Sequence, residues 1–371
     1  MSGFKSVLEK KIKRSRSNNF GIENYDERRF GKYIAPEDPP FDPIFTIKNF
    51  IKRILTGRRT RFDISQIDWL REGLLGFQRI YDNLNDEGRA LLVDLLAYRY
   101  LGYRKVKLKR NNKEYREAIA LGSSLANTED KYNPHFLHYV LEKFDLNALG
   151  YDIKLYFSRA GIAADFIIEQ YAYKSGGKTI VEPEKGDVVI DAGGCWGDTA
   201  LYFAHKVESK GKVYSFEFIP GNIHLFNVNR SLNPHLAGLI ELVEHPVSNR
   251  SGDQIYFKDH GPGSRIEFQP FEGQTGSTTT TTVDAIVKSR DIARVDFIKM
   301  DIEGAELPAL EGALETIRRH RPKLAISIYH SVHDFVTIPN WILDLNLDYE
   351  IFVDHFTIHA EETVCFARPK K

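Results

Sequence analysis

Two patterns of apolar and polar residues divide the chain. Between about Ile64 and Tyr103, the stretches WLREGLLGFQRIYDNL and DEGRALLVDLLAYRYLG place apolar residues every three or four positions, the spacing of helices that bury one face. Trp69, Phe77, Tyr81, Tyr98 and Tyr100 read as packing residues of those helices. The stretch from Tyr103 to Lys178 is mixed, with Lys105 to Leu108 and Tyr151 to Phe157 alternating as edge strands do. Beyond it come short strand-like runs: Val188 to Ile190, Lys212 to Phe218, Val295 to Asp301 and KLAISIYH from Lys323. The unbroken ones are what parallel strands covered on both faces by helices require. After Asp301, apolar residues at Ala305, Leu307, Leu310, Ala313, Leu314 and Ile317 return to helical spacing. Strand, tight turn and helix thus repeat, predicting an α/β fold. The expected division is a basic, partly disordered arm over 1–61, a mostly helical accessory domain over 62–150 and the α/β domain over 151–371.

The turns after these strands carry the chemistry. In VVIDAGGCWGDTA, Asp191 ends the first strand, and Gly193, Gly194 and Gly197 clear side chains where the backbone bends and a ligand can approach. Asp198 and Thr199 suit the first turn of the next helix. The order D-x-G-x-x-x-G differs from the G-x-G-x-x-G of dinucleotide folds. An acid at this strand tip repels phosphate, but it can hold a cation such as the ammonium of S-adenosylmethionine. Glu217 stands at the end of the next strand, twenty positions after Gly197, where an acid can take both ribose hydroxyls. Pro220 and Asn222 open the helix that follows. Asp301, Glu303 and Glu306 then gather carboxylates at the end of a central strand, where open α/β sheets bind ligands.

The combination IDAGGCWGDTA, YSFEFIPGN, FIKMDIEGAELPALEGA and PKLAISIYH resembles the FkbM family of S-adenosylmethionine-dependent methyltransferases, over roughly residues 180 to 368. The resemblance implies a class I methyltransferase fold, a seven-stranded Rossmann-like sheet with one antiparallel edge strand. It also implies O-methylation of a hydroxyl on a sugar, glycan or natural product. Carried over by position, Asp191, Gly193 and Gly197 line the methionine end of the cofactor and Glu217 the ribose. Gly194, Phe218 and Asn222 are counted with them, and Asp301 and Glu303 face the methyl group and the acceptor. Gln170 and Tyr171 are placed near the cofactor. His245-Pro246 departs from the family, which more often has a small residue after the third strand.

Composition narrows the setting. A chain of 371 residues with 42% hydrophobic content can bury an α/β core and a smaller unit besides. Cys195 and Cys365 are too few for a disulfide framework or a cysteine zinc site, which points to a cytoplasmic setting. No apolar run approaches the ~18 residues of a membrane span. Net charge is zero, yet residues 1 to 61 hold 15 Lys or Arg against 7 Asp or Glu, a surplus that the remainder balances. Such an arm could touch an anionic surface, although its four prolines and weak periodicity read as a solvated tail. Nucleic acid is not expected as a substrate.

Methyl transfer to a hydroxyl needs in-line alignment and a group that takes the proton. His330, at the end of KLAISIYH, is the candidate base because imidazole titrates near neutrality, and Asp301 is its rival. His355 and His359 border the same region. Asp301, Glu303, Asp284 and His330 could in principle share Mg2+, but no compact ligand motif supports a preformed site, and no metal is expected. An NAD-linked oxidoreductase and a non-catalytic cofactor-binding module are the alternatives.

Overall fold

The computed structural model describes residues 3–35, 63–135 and 140–370. Helices α1 (Gly3–Ser15), α2 (Asp68–Asn83), α3 (Asp86–Leu101) and α4 (Lys113–Ser124) precede a small antiparallel sheet of β1 (Ala126–Tyr132), β2 (Leu141–Asp145) and β3 (Lys154–Phe157). The apolar runs then build a sheet from β4 (Val188–Ala192), β5 (Lys212–Phe216), β6 (Ile240–Val243), β7 (Phe297–Met300), β8 (Lys323–Ser327), β9 (Tyr349–His355) and β10 (Thr363–Pro369). Its spatial order is β9-β10-β8-β7-β4-β5-β6. Helices α5 (Asp198–Val207), α6 (Pro220–Ser231), α7 (Glu306–Glu311) and α8 (Asp334–Asp344) join its strands.

This is the expected Rossmann-like α/β sheet of seven strands, one of them antiparallel. That strand, β10, is not at the edge: it pairs with both β8 and β9. Thr363 to Ala367 are all buried, and a run apolar on both faces belongs inside a sheet, so β10 inserts and leaves β9 outside. Register also sets the site. Asp191 on β4 lies opposite Lys299 on β7 and opposite Ser215 on β5, one row across three central strands.

The helical segment does not keep a core of its own. Leu70 and Phe77 of α2 and Leu92, Leu95 and Leu96 of α3 share one apolar cluster with Ile190, Ile298 and Ile326 of the sheet. Helix α2 lies so close to α8 that a Cβ on Gly76 would meet Val336 at 2.4 Å. Arg99 of α3 donates to the carbonyl of Tyr329 at 2.6 Å, tying the helix to the loop after β8.

The expected solvated arm is corrected over its first part. Gly3–Ser15 is a helix, and Phe4, Leu8 and Ile12 are fully buried against α2 and α3. Phe4 stacks on Phe77 with ring centroids 6.0 Å apart, and Lys11 pairs with Asp94 at 2.7 Å. Three apolar residues at four-residue spacing make a stripe only one residue wide, which the surrounding lysines and arginines mask in composition. Residues 36–62, the rest of the arm, lie outside the described residues. Lys105 to Leu108 is not a strand either: Val106 and Leu108 are buried, but the Val106 carbonyl accepts from the Asn24 side chain at 2.6 Å instead of from a strand partner. The single helix expected after Asp301 is two, α7 and Leu314–His320, with a turn at Gly312 and Ala313 between them; a Cβ on Gly312 would meet Ser248 O at 2.1 Å. Among the described residues no helix is long and apolar enough to cross a membrane.

Candidate active site

Loops after β4, β5, β6, β7, β8 and β9 open onto one cavity of about 1160 Å³. At one end, the turn after β4 folds onto β5, with the N–H groups of Gly193 and Gly194 donating to Phe216 O at 3.1 and 2.9 Å. Gly193 has φ 88°, and a Cβ there would sit 2.0 Å from Asp301 O, so only glycine fits. Gly193 lines the cavity, whereas Gly194 packs against Ser215 and Gly197 against Phe226.

Glu217 stands at this end, fixed from behind. Its Oε1 accepts from the backbone of Phe218 at 2.6 Å and Ile219 at 2.8 Å, and its Oε2 accepts from Asn222 Nδ2 at 3.1 Å. Asn222 is itself oriented by Trp196 Nε1, 3.1 Å from its Oδ1. Burial pushes Glu217 up to about 7 against these donors. Glu217, Phe218 and Asn222 all line the cavity, as do His245 and Pro246 beyond them.

Asp191 does not line it. It is fully buried, and its carboxylate meets Lys299 Nζ at 3.1 Å, Ser215 Oγ at 2.7 Å and Thr199 Oγ1 at 3.0 Å. The expected ammonium-holding role is therefore corrected: the charge of Asp191 is already matched across the strands. Lys299 is 1% exposed and also donates to Gly193 O at 2.7 Å. Burial works against its ammonium, but Asp191 and Asp301 outweigh it and raise the lysine.

Other acids reach the cavity instead. Asp198 opens α5, and Asp165 comes from Ile162–Ile168, a π-helical segment ended by Glu169 at φ 59°. Burial pushes Asp198 up to about 6 and Asp165 well above its ordinary range, each acting on the other. Asp198 Oδ1 is buried without a hydrogen-bond partner.

The opposite end gathers around Asp301. Tyr171 donates to its Oδ2 at 2.8 Å and Tyr329 to its Oδ1 at 3.1 Å. Glu303, at φ 56°, lines the cavity beside it. His330 lies behind this wall, with Nε2 3.4 Å from Asp301 Oδ1 and Nδ1 3.1 Å from Glu306 Oε1. Burial opposes its charge, but Glu306, Asp301 and Glu303 push it up to about 9. His330 does not line the cavity, so the expectation of it as the base is corrected on geometric grounds: Asp301 stands between its ring and an acceptor. Asp284 is elsewhere, accepting from the backbone N–H of Glu315 and Thr316. His355 is buried, with Nδ1 2.8 Å from Thr363 Oγ1, while His359 faces the cavity.

Two contributors to this end were not read from sequence. Glu362 lines the cavity, accepts from Gln170 Nε2 at 2.6 Å, and is pushed up to about 7 by burial and by Asp301. The N-terminal segment also reaches the rim, where Arg29 pairs with Glu361 and Phe30 stands edge-on to His359 at 5.7 Å. Lys299 and Asp165 did leave a sequence signal, a lone charge inside an apolar run: FIKM for one, IAADFII for the other.

Residues 172–351 match the family model described as the methyltransferase FkbM domain. No curated protein matches the chain significantly. Among solved structures, the chain is similar to a methyltransferase FkbM from Methylobacillus flagellatus KT, at 20% identity over 88% of this chain and 71% of that one, TM-score 0.48. It is also similar to Aeropyrum pernix fibrillarin with natively bound S-adenosyl-L-methionine, at 12% identity over 61% and 93%, TM-score 0.33. A putative O-methyltransferase from Klebsiella pneumoniae gives 10% identity over 77% and 100%, TM-score 0.33.

Proposed function

The chain belongs to the FkbM methyltransferase family over residues 172–351, and from that premise we propose that it methylates a hydroxyl of a sugar, glycan or natural product with S-adenosylmethionine. The acidity of the cavity wall carries the reading: nine carboxyl side chains line it against four Lys or Arg, several of the carboxyls pushed up by a burial that a bound cation would offset. Such a wall favours a cationic ligand such as a sulfonium. Its volume of about 1160 Å³ also exceeds the roughly 300–1,000 Å³ usual for one small ligand, leaving room for an acceptor.

The residues present fit the cofactor. Gly193 leaves space that a Cβ would fill, and Asp198 offers a buried oxygen with no partner in the protein. In this reading Glu217, steadied by Asn222, takes the ribose hydroxyls beside Phe218, and Asp198 backed by Asp165 takes the ammonium. The bound cofactor supplies an electrophilic methyl group. What remains falls to the chain. Asp301, held by two tyrosine hydroxyls, accepts a hydrogen bond from a neighbouring hydroxyl of the acceptor and with Glu303 fixes the direction in which the reacting hydroxyl attacks. Glu362, poised near neutrality, takes the proton. Carboxylates in this arrangement suit a polyhydroxylated acceptor.

The test is transfer of labelled methyl groups from the cofactor to pools of hydroxylated acceptors. Glu362→Gln should lower turnover by roughly 100-fold with affinity for S-adenosylhomocysteine unchanged. Label appearing only on amines, or thermal stabilisation by NAD and not by S-adenosylhomocysteine, would overturn the proposal.

A further inference from the structure

We propose that Asp301, Glu306 and His330 form a binding site for a divalent cation in the floor of the cavity. One oxygen from each carboxylate and one ring nitrogen lie within 4.8 Å of one another. Ligands around a single ion of the Mg2+ to Ca2+ range stand about 3.0–3.4 Å apart when adjacent and about 4.2–4.8 Å when opposite. Spacing alone would fit many acidic clusters, but the state of the side chains here is unusual. Glu306 is fully buried and its Oε2 has no hydrogen-bond partner, while the ring of His330, whose side chain is 9% exposed, stands between Glu306 Oε1 at 3.1 Å and Asp301 Oδ1 at 3.4 Å. Leaving a buried carboxylate oxygen unmatched costs about 1–3 kcal/mol or more, a cost that a ligated cation removes.

The groups are also held in place from outside, as metal ligands generally are. Ile302 N–H donates to Glu306 Oε1 at 2.8 Å, and the hydroxyls of Tyr171 and Tyr329 steady Asp301. One imidazole with two carboxylates suits Mn2+, Fe2+ or Mg2+ more than a thiolate-seeking ion. Asp301 lines the cavity while Glu306 and His330 lie behind it, so open coordination positions would face the acceptor. There a cation would acidify the hydroxyl whose proton Glu362 takes. That consequence rests on the proposed function, whereas the binding itself does not.

A proton on the imidazole is the rival occupant, because a ring protonated on both nitrogens ligates nothing. Mn2+ alone tests the choice, added without cofactor to chelator-treated full-length protein and followed by calorimetry and by the free-ion paramagnetic resonance signal. One equivalent should bind with a Kd below about 100 µM and raise the melting temperature. Asp301→Asn, Glu306→Gln and His330→Gln should each weaken binding at least ~10-fold, with circular dichroism reporting that each variant folds. If Glu306→Gln does not fold, the comparison rests on His330→Gln. Absence of saturable binding, or binding that His330→Gln leaves unchanged, overturns the site and leaves the protonated ring as its occupant. Failure of Mn2+ to bind while S-adenosylhomocysteine still does would separate this outcome from failure of the proposed function.

Discussion

The two ends of the cavity are built differently. Around Glu217, the wall comes mainly from two short stretches, 193–199 and 216–222, each a strand end running into its own helix. Around Asp301, it comes from segments far apart in the chain: Arg29, Gln170 and Tyr171, Asp301 to Glu303, Tyr329, and His359 and Glu362. The first end is local geometry fixed by glycines and backbone donors. The second depends on packing, since Asp301 receives hydroxyls from residues 130 and 28 positions away. Adjacent strand ends place neighbouring turns side by side, whereas a site gathered from remote loops exists only once the sheet is ordered.

Lys299 links the two ends and offers the harshest test of the contrast. Lys299→Met leaves Asp191 buried and uncompensated, which should cost about 3–5 kcal/mol and loosen both ends together. Asp191→Asn should likewise lower denaturant stability far more than it lowers affinity for S-adenosylhomocysteine. If Asp191→Asn abolishes cofactor binding in a protein of unchanged stability, the carboxylate holds ligand after all.

Next in size is Glu217→Ala, which removes a carboxylate from the local end only. Affinity for S-adenosylhomocysteine by calorimetry should fall roughly 100-fold or more, beyond the modest loss of stability from its unmatched backbone donors. Equal binding in variant and parent would refute the ribose assignment.

The packed end should also be the acid-sensitive one. Burial pushes His355 and His359 down to about 3, so both are neutral in the folded chain and protonate readily once unfolded. Stability from these groups is complete above the unfolded value near 6.5 and is lost as pH falls toward 3. Between pH 6.5 and 4.5 each contributes a loss of roughly 2–3 kcal/mol. His355→Asn should flatten the dependence of melting temperature on pH over that window, and an unaltered slope would exclude the mechanism.

The smallest effect is expected at the rim. Arg29→Ala removes a partly exposed ion pair with Glu361, worth about 0–1 kcal/mol, so stability should barely move. The KM for an acceptor should rise a few-fold while cofactor affinity stays constant. A change confined to the cofactor would reverse the assignment of the two ends.

Much of this division was legible in advance. The four strand-like runs became β4, β5, β7 and β8, and Glu217 was readable because strand, acid and helix start are contiguous. Helix α1 was hidden because its stripe of Phe4, Leu8 and Ile12 is narrow and flanked by charge. The role of Asp191 was misread because the sequence shows which acid ends a strand, not which residue register sets opposite it. Lys299 lies 108 positions away in the chain and beside it in the sheet. His330 was read as titrating near neutrality, but folding brings three carboxylates around it that push it up to about 9 against its burial.

The sequence by itself determined the alternation of strands and helices, the glycine turn after β4 and the acid after β5, because each depends on residues within a few positions of one another. Tertiary structure decided the insertion of β10, the partner of Asp191, the carboxylates around His330 and the recruitment of Glu362 and Arg29. Those depend on register and burial, and the field around a charge is set by whatever the fold brings near it.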